Sequence, residues 1–534
     1  MSETQNKLFE NWYKKFEPKK DKNKKIIIYK KQYLHFDNKI KNPSKNKAHF
    51  SVEILKKHKE IYQDFFNEYI SKSDKVAKWE FLPFIKSELP KYKYINNKKD
   101  GTDKRPIMYC GHKDRLLYSY YSLVLEEKYE KLILNRGLEK SILAYRSIKK
   151  ESGKGKSNLD FAKNAFDKIV KMKEETDTVA LAFYIKGFFD NLNHNQLKHR
   201  WEDILGKGKL PDDHYKVFRS LTKFSFFQRE ELLRKVLKLS KPKLKYKDGK
   251  KDICYKWVTP GRRLINKTKN GRYNYSDLDH KNKWSEHFKK ILCEAKKLDK
   301  DLLNRKQTGY SQKEKYIFET RKKSKMGIPQ GSPISGTLSN IYMLKFDQVV
   351  KKEVEKLNGF YYRYSDDLLI ILPKKKSFKI EEFVKKEIEK LELKIKDKKT
   401  IRAIFPKKTN TCYFINEKIE VIKDKKGKLQ YLGLDFNGNK TLLRSSSICK
   451  SINKNRYRIK NYKKYILKKY KTDKVYKKAL YKKLTHLGSM NFYRYAVIRK
   501  IKDNLDTIFD FKTYKNFKKQ LKKHQKIIFE KSNN

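Results

Sequence analysis

No stretch of this chain is both long and free of charge, so a membrane-spanning helix is not expected. Met1 to Glu10 lacks the apolar core of a secretory signal, which points to a cytoplasmic setting. Cysteine is scarce: Cys110, Cys254, Cys293, Cys412 and Cys449 are scattered without any Cys-x-x-Cys spacing. That argues against a zinc site and for reduced structural thiols. Acid is in short supply too, with 62 Asp and Glu against 134 Lys and Arg, a net charge of +72. Lys, Asn, Tyr and Ile are the residues an AT-rich genome encodes, and part of the lysine is such filler. Filler lysine brings no balancing acid, so the positive field is real and suits a phosphate backbone, with binding that weakens steeply in salt.

What is present is enough for sizeable cores: 534 residues, 38% hydrophobic, with 36 Tyr and 31 Phe. The length allows roughly three or four domains. Residues 361–372 read Tyr-Tyr-Arg-Tyr-Ser-Asp-Asp-Leu-Leu-Ile-Ile-Leu, two adjacent carboxylates between β-prone runs. Phe360 to Tyr364 and Leu368 to Leu372 suit two short strands, and a hairpin tip would present Asp366 and Asp367 to a divalent cation and a triphosphate. Ser-Asp-Asp is also ordinary turn chemistry, so the motif needs context.

Upstream, Gly327-Ile328-Pro329-Gln330-Gly331-Ser332-Pro333-Ile334-Ser335 is a poor helix and a good backbone cradle. Leu338, Ile341, Tyr342 and Phe346 follow at helical spacing. Taken with Ser-Asp-Asp, this segment closely resembles the reverse transcriptases. The resemblance covers about residues 80 to 445. It implies an α+β right-hand polymerase fold, fingers and palm with an antiparallel sheet, plus a mainly α-helical C-terminal thumb. It also implies RNA-directed DNA synthesis with two Mg²⁺ ions, or Mn²⁺ in their place, held by Asp366 and Asp367. Gln330 and Gly331 would lie at the nucleotide and template base.

At one position the chain departs from the family. The β-prone run Thr178 to Phe183 leads into Tyr184-Ile185-Lys186-Gly187-Phe188-Phe189-Asp190. In the reverse transcriptases it resembles, the residue before Ile-Lys-Gly-Phe-Phe-Asp is an aspartate that completes the metal site. Here it is Tyr184. Phe189 stays in register, where the family places an aromatic that crowds the sugar 2′ position. In an extended chain Asp177 and Asp190 would lie roughly 20 Å or more away. A phenol of pKa near 10 is a poor Mg²⁺ ligand, so polymerisation is expected to be weak or absent.

Lys104-Arg105-Pro106-Ile107-Met108 resembles the fingers segment, with Arg105 either a triphosphate contact or a surface ion pair. Leu393-Lys394-Ile395-Lys396-Asp397-Lys398-Lys399-Thr400 resembles the motif whose lysine lies near the leaving pyrophosphate; Lys399 is the choice over Lys398. Tyr431-Leu432-Gly433-Leu434-Asp435-Phe436 resembles the turn that supports the primer end, and reads equally as a hairpin before Asn437-Gly438-Asn439. Helical periodicity runs from Leu116 to Leu134 and from Asn158 to Met172. Gly153-Lys154-Gly155-Lys156-Ser157 between them reads as a basic loop, since Lys150 occupies the first glycine of a phosphate-loop pattern.

The expected organisation is a basic N-terminal extension (1–80), fingers (81–175), a palm (176–445) with an inserted lobe at about 240–320, and a basic helical thumb (446–534). In the thumb, Ile459, Tyr462, Ile466 and Tyr470 share a helical face. In the lobe, a helix is expected near Trp284 to Lys297.

Within the reverse transcriptases the chain is most similar to the bacterial abortive-infection and defence-associated group. The pointers are Ala144-Tyr145-Arg146, the run from Tyr431 to Ser447, and the lack of a ribonuclease H or integrase module. The implied partners are an RNA template or non-coding RNA, a DNA product, deoxynucleoside triphosphates and, in some members, further copies of the chain. A group II intron maturase and a polymerase-like RNA-binding scaffold without chemistry are the alternatives.

Overall fold

The computed structural model describes residues 3–17, 52–95, 98–228 and 324–448 except Ser445, with strands at 19–20, 26–27, 243–247, 250–256, 264–267, 273–274 and 318–320 and helical positions 516 and 519. The chain divides into two interleaved units, one of residues 1–93, 101–132 and 189–342, the other of 94–100, 133–188 and 343–534. Mixed helices and mainly antiparallel sheets give an α+β fold.

In the first unit, the helix Glu3–Tyr13 and the turn after it carry Phe9, Trp12, Tyr13 and Phe16, all buried. That spacing lines one helical face. Their rings meet Tyr62 and Phe66, from the helix Val52–Phe65 and its continuation. Trp12 Nε1 donates to the Leu116 carbonyl at 3.2 Å, which ties this cluster to the helix His112–Asn135. The first 80 residues thus contribute an aromatic core as well as basic sequence.

A four-stranded sheet of the same unit runs in the order Phe318–Thr320, Ser225–Gln228, Phe84–Ile95, Lys98–Tyr109. Phe318 pairs with Phe227, so the chain leaves this sheet after Gln228 and returns to it at Phe318. Within that interval, Lys243–Lys247, Lys250–Lys256, Leu264–Lys267 and Tyr273–Asn274 form an antiparallel meander. The helix expected near Trp284 to Lys297 lies outside the described residues.

The second unit is built on a six-stranded antiparallel sheet: Phe360–Tyr364, Asp367–Pro373, Thr178–Tyr184, Ile401–Phe405, Tyr413–Ile415, Val421–Lys426. Thr178–Tyr184 and Asp367–Pro373 are almost wholly buried, which is why they read as near-continuous apolar runs. Ala180, Leu369, Ile371, Ala403 and Phe405 pack on Leu159, Ala162, Phe166 and Ile169 of the helix Asn158–Glu175, and on the small sheet Leu429–Tyr431, Leu434–Phe436, Thr441–Leu443. The register Tyr431↔Leu434 leaves a two-residue turn, Leu432 and Gly433, with φ of 46° and 91°. Positive φ at both positions is the type I′ arrangement that matches strand twist. Past Ile448 the expected thumb, including Ile459, Tyr462, Ile466 and Tyr470, lies outside the described residues except for positions 516 and 519.

Candidate active site

Tyr364 pairs with Asp367, so the hairpin has a two-residue loop, Ser365 and Asp366. Ser365 takes φ of 60°, uncommon for a residue with a Cβ, and is held there from two sides. Its hydroxyl donates to the Tyr145 phenol oxygen at 3.2 Å, and its carbonyl accepts from Arg363 at 3.4 Å. Beneath the tip, Arg363 forks onto Asp347 of the helix Ser335–Lys356 at 2.7 and 2.6 Å, and Tyr361 donates to the same carboxylate at 2.7 Å.

Asp367 faces Tyr184 across the neighbouring strand. Ile185 N donates to the Asp366 carbonyl at 2.9 Å, making that couple the hydrogen-bonded one. Asp367 and Tyr184 are then a non-hydrogen-bonded pair, the arrangement in which side chains come closest, on one face of the sheet. On the other side of Tyr184, Lys396 N donates to its carbonyl at 2.8 Å, and the 3-10 turn Asp397–Lys399 follows directly. The side chains meet: the Lys399 ammonium stands 4.0 Å from the Tyr184 ring centroid. A row therefore crosses the sheet end as Tyr364, Asp367, Tyr184, Lys399. Phenols crowd the carboxylate. Burial, then Tyr145 and the Asp367 charge, raise Tyr364; burial pushes Tyr362 up to about 12; burial followed by Asp367 lifts Tyr431 far above the usual phenol range.

Asp177, considered as a replacement carboxylate, lies at the opposite end of its strand, where it accepts from Lys407 N at 2.8 Å. For Asp190 the extended-chain distance does not apply. The strand ends at Tyr184, Gly187 turns with φ of 56°, and Phe188–Asp190 is a 3-10 turn. Among the described residues no group of three or more His, Cys, Asp or Glu is placed to hold a metal ion. Two metal ions about 4 Å apart need bridging carboxylates. A row offering one carboxylate between two phenols, with an ammonium at its end, does not fit that pair of ions.

The remaining candidates come together in the first unit. Ile328 N donates to the Phe189 carbonyl at 2.9 Å, Gly327 N to Leu192 at 2.8 Å, and His194 Nε2 bonds the Gly327 carbonyl at 2.8 Å. Phe189, largely buried, and the Gly327–Ser335 loop are thus zipped together although far apart in sequence. Gln330 accepts from Met108 N at 2.8 Å through its backbone and from Arg105 Nε at 3.2 Å through its side chain. Gly331 has φ of 124°, and a Cβ there would stand 2.6 Å from the Met108 carbonyl, so only glycine lets the two segments touch. Arg105 and Gln330, singled out separately, are partners; Arg105 is exposed and in position to meet an anion.

Residues 278–436 match the family Reverse transcriptase (RNA-dependent DNA polymerase). This stretch is similar to a reverse transcriptase domain. The match takes in Gln330, Gly331, Asp366, Asp367 and Lys399, and begins after Arg105, Tyr184 and Phe189. No curated protein matches the chain in sequence. Among solved structures, the chain is similar to apo telomerase from Candida tropicalis truncated of its C-terminal domain, at 13% identity and a TM-score of 0.35, covering 72% of this chain and 60% of that one. Telomerase from Candida albicans with a fragment of telomeric RNA gives 12% identity and a TM-score of 0.34, covering 75% of this chain and 55% of the other. The chain thus spans less than two thirds of either structure's length. The described elements are α+β, as expected, with the acidic hairpin on the antiparallel sheet of the second unit.

Sequence reasoning missed Tyr145, Arg363 and Asp347 as supports of the hairpin. Tyr145 had a signal, an aromatic inside Ala144-Tyr145-Arg146. Arg363 had none, since an arginine in a short strand reads as a solvated residue.

Proposed function

We propose that this chain is a reverse-transcriptase-class protein of bacterial antiphage defence, cytoplasmic, that binds an RNA template and deoxynucleoside triphosphates. Its RNA-directed DNA synthesis is held far below that of a palm with its full set of carboxylates. The observation that carries this reading is the row at the sheet end, in which Asp367 faces Tyr184 and Tyr184 faces Lys399.

In this reading, within the first unit, Gly331 and Gln330 make the backbone cradle beside the templating base, Phe189 crowds the 2′ position of the incoming sugar and Arg105 supplies positive charge to its phosphates; Lys399 keeps the pyrophosphate role that the motif resemblance gives it. Asp366 and Asp367 are the two carboxylates left of the family's set, and the alternative role of a binding scaffold rests on the missing third. The net charge of +72 favours a nucleic-acid partner in either role.

The test is to purify the full chain from cells, sequence the RNA that comes with it, and measure binding of that RNA and of dGTP. A defined RNA, released steeply as salt rises, together with dGTP binding supports the reading. Retention of bulk RNA alone with no nucleotide binding counts against it.

A further inference from the structure

The Lys399 ammonium is seated rather than loose. Lys396 N donates to the Tyr184 carbonyl at 2.8 Å, Lys399 N closes the 3-10 turn Asp397–Lys399 onto the Lys396 carbonyl at 2.8 Å, and the side chain then lies over the Tyr184 ring. Asp397, the acid of this turn, pairs with Lys385 at 3.0 Å. The face of an aromatic ring is the negative end of its quadrupole and attracts a cation without neutralising it. An aspartate at position 184 would do the opposite, offering its charge to a metal ion or directly to Lys399.

We propose that Tyr184 is a positioning residue for Lys399, and that the seated pair binds the polyphosphate tail of a nucleoside triphosphate with a fixed ammonium where a carboxylate-bridged ion would otherwise stand. This rests on the reading of the row as a nucleotide site. It makes Tyr184 a working part of a retentive site, one that holds nucleotide without needing a second divalent ion. The ring, not the hydroxyl, does the seating.

The experiment uses the full chain and two probes, dGTP and inorganic tripolyphosphate, each titrated in EDTA and in Mg²⁺. Tyr184→Phe keeps the ring and is expected to bind both probes as the native chain does. Tyr184→Leu and Lys399→Met are expected to weaken both in EDTA by roughly two- to fivefold, the range of an exposed cation–π contact. Lys398→Met is expected to leave both unchanged. Tyr184→Asp is expected to depend on Mg²⁺ more steeply than the native chain. Lys399 is exposed on a surface turn, so its variant tests the idea even if a substitution at 184 disturbs the strand. Native-like binding by both Tyr184→Leu and Lys399→Met, or equal losses in Tyr184→Phe and Tyr184→Leu, would overturn the inference while leaving nucleotide binding intact. No binding of either probe by the native chain would overturn this inference and the nucleotide site together.

Discussion

Arg363 and Asp347 form a forked ion pair with neither side chain exposed, directly below the hairpin that carries Asp366 and Asp367. Bulk solvent does not reach either side chain, so each charge depends on the other. Removing one partner leaves a buried charge unmatched, at a cost of about 3–5 kcal/mol. We expect Asp347→Ala and Arg363→Ala each to lower unfolding free energy by that amount in urea titrations. The double change Asp347→Leu with Arg363→Met should cost less than either single one, because no charge is stranded.

Gly331 illustrates a different constraint. A methyl group at this position meets the Met108 carbonyl at 2.6 Å in a backbone of φ 124°. Strain and clash together lead us to expect that Gly331→Ala costs about 2 kcal/mol or more, read as a lower melting temperature. Gly153, with φ of 74° and open space around it, should tolerate alanine better, at the cost of its φ alone.

Two buried groups of the first unit give opposite pH dependences in one window. Burial lowers His58 from 6.5 to about 4, so its contribution is complete above pH 6.5 and lost as pH falls toward 4. Burial raises Asp114 from 3.8 to about 6, partly offset by bonds from Trp79 Nε1 and Leu82 N, so its contribution is present at low pH and lost as pH rises through 6. Urea titrations between pH 4 and 6.5 should show His58→Phe with a shallower rise of stability with pH than the native chain. Asp114→Asn should show a steeper one. The same slope in all three proteins would contradict both assignments.

Local signals made the acidic hairpin legible. Apolar runs on either side of Ser365 and Asp366 could pair only by turning there; the strand Phe360–Tyr364 falls where it is expected, and Asp367–Pro373 reaches one residue further at each end than Leu368 to Leu372. The helix expected over Asn158 to Met172 runs to Glu175, for the same reason. What was not legible depended on partners distant in sequence. Phe189 and Ile328 meet because a long interval leaves the sheet at Gln228 and returns at Phe318, and no local pattern records that return. Arg363 sits in a tyrosine-rich strand with nothing to mark it as buried; its reason is Asp347, on another element. The aromatic spacing Phe9, Trp12, Tyr13, Phe16 is that of a helix face, set in a lysine-rich N-terminal segment whose charge is its stronger signal. The choice of Lys399 over Lys398 gains a physical reason from the contact of its ammonium with the Tyr184 ring.

The most direct measurement is deoxynucleotide incorporation on a primed RNA template with Mg²⁺, comparing the native chain with Tyr184→Asp. Restoring the carboxylate opposite Asp367 should raise the rate about a hundredfold or more, since bridging charge at a two-ion site is worth several kcal/mol of barrier. A native chain that already extends the primer as fast as the Tyr184→Asp variant would contradict the reading of Tyr184 as the residue that holds this palm back.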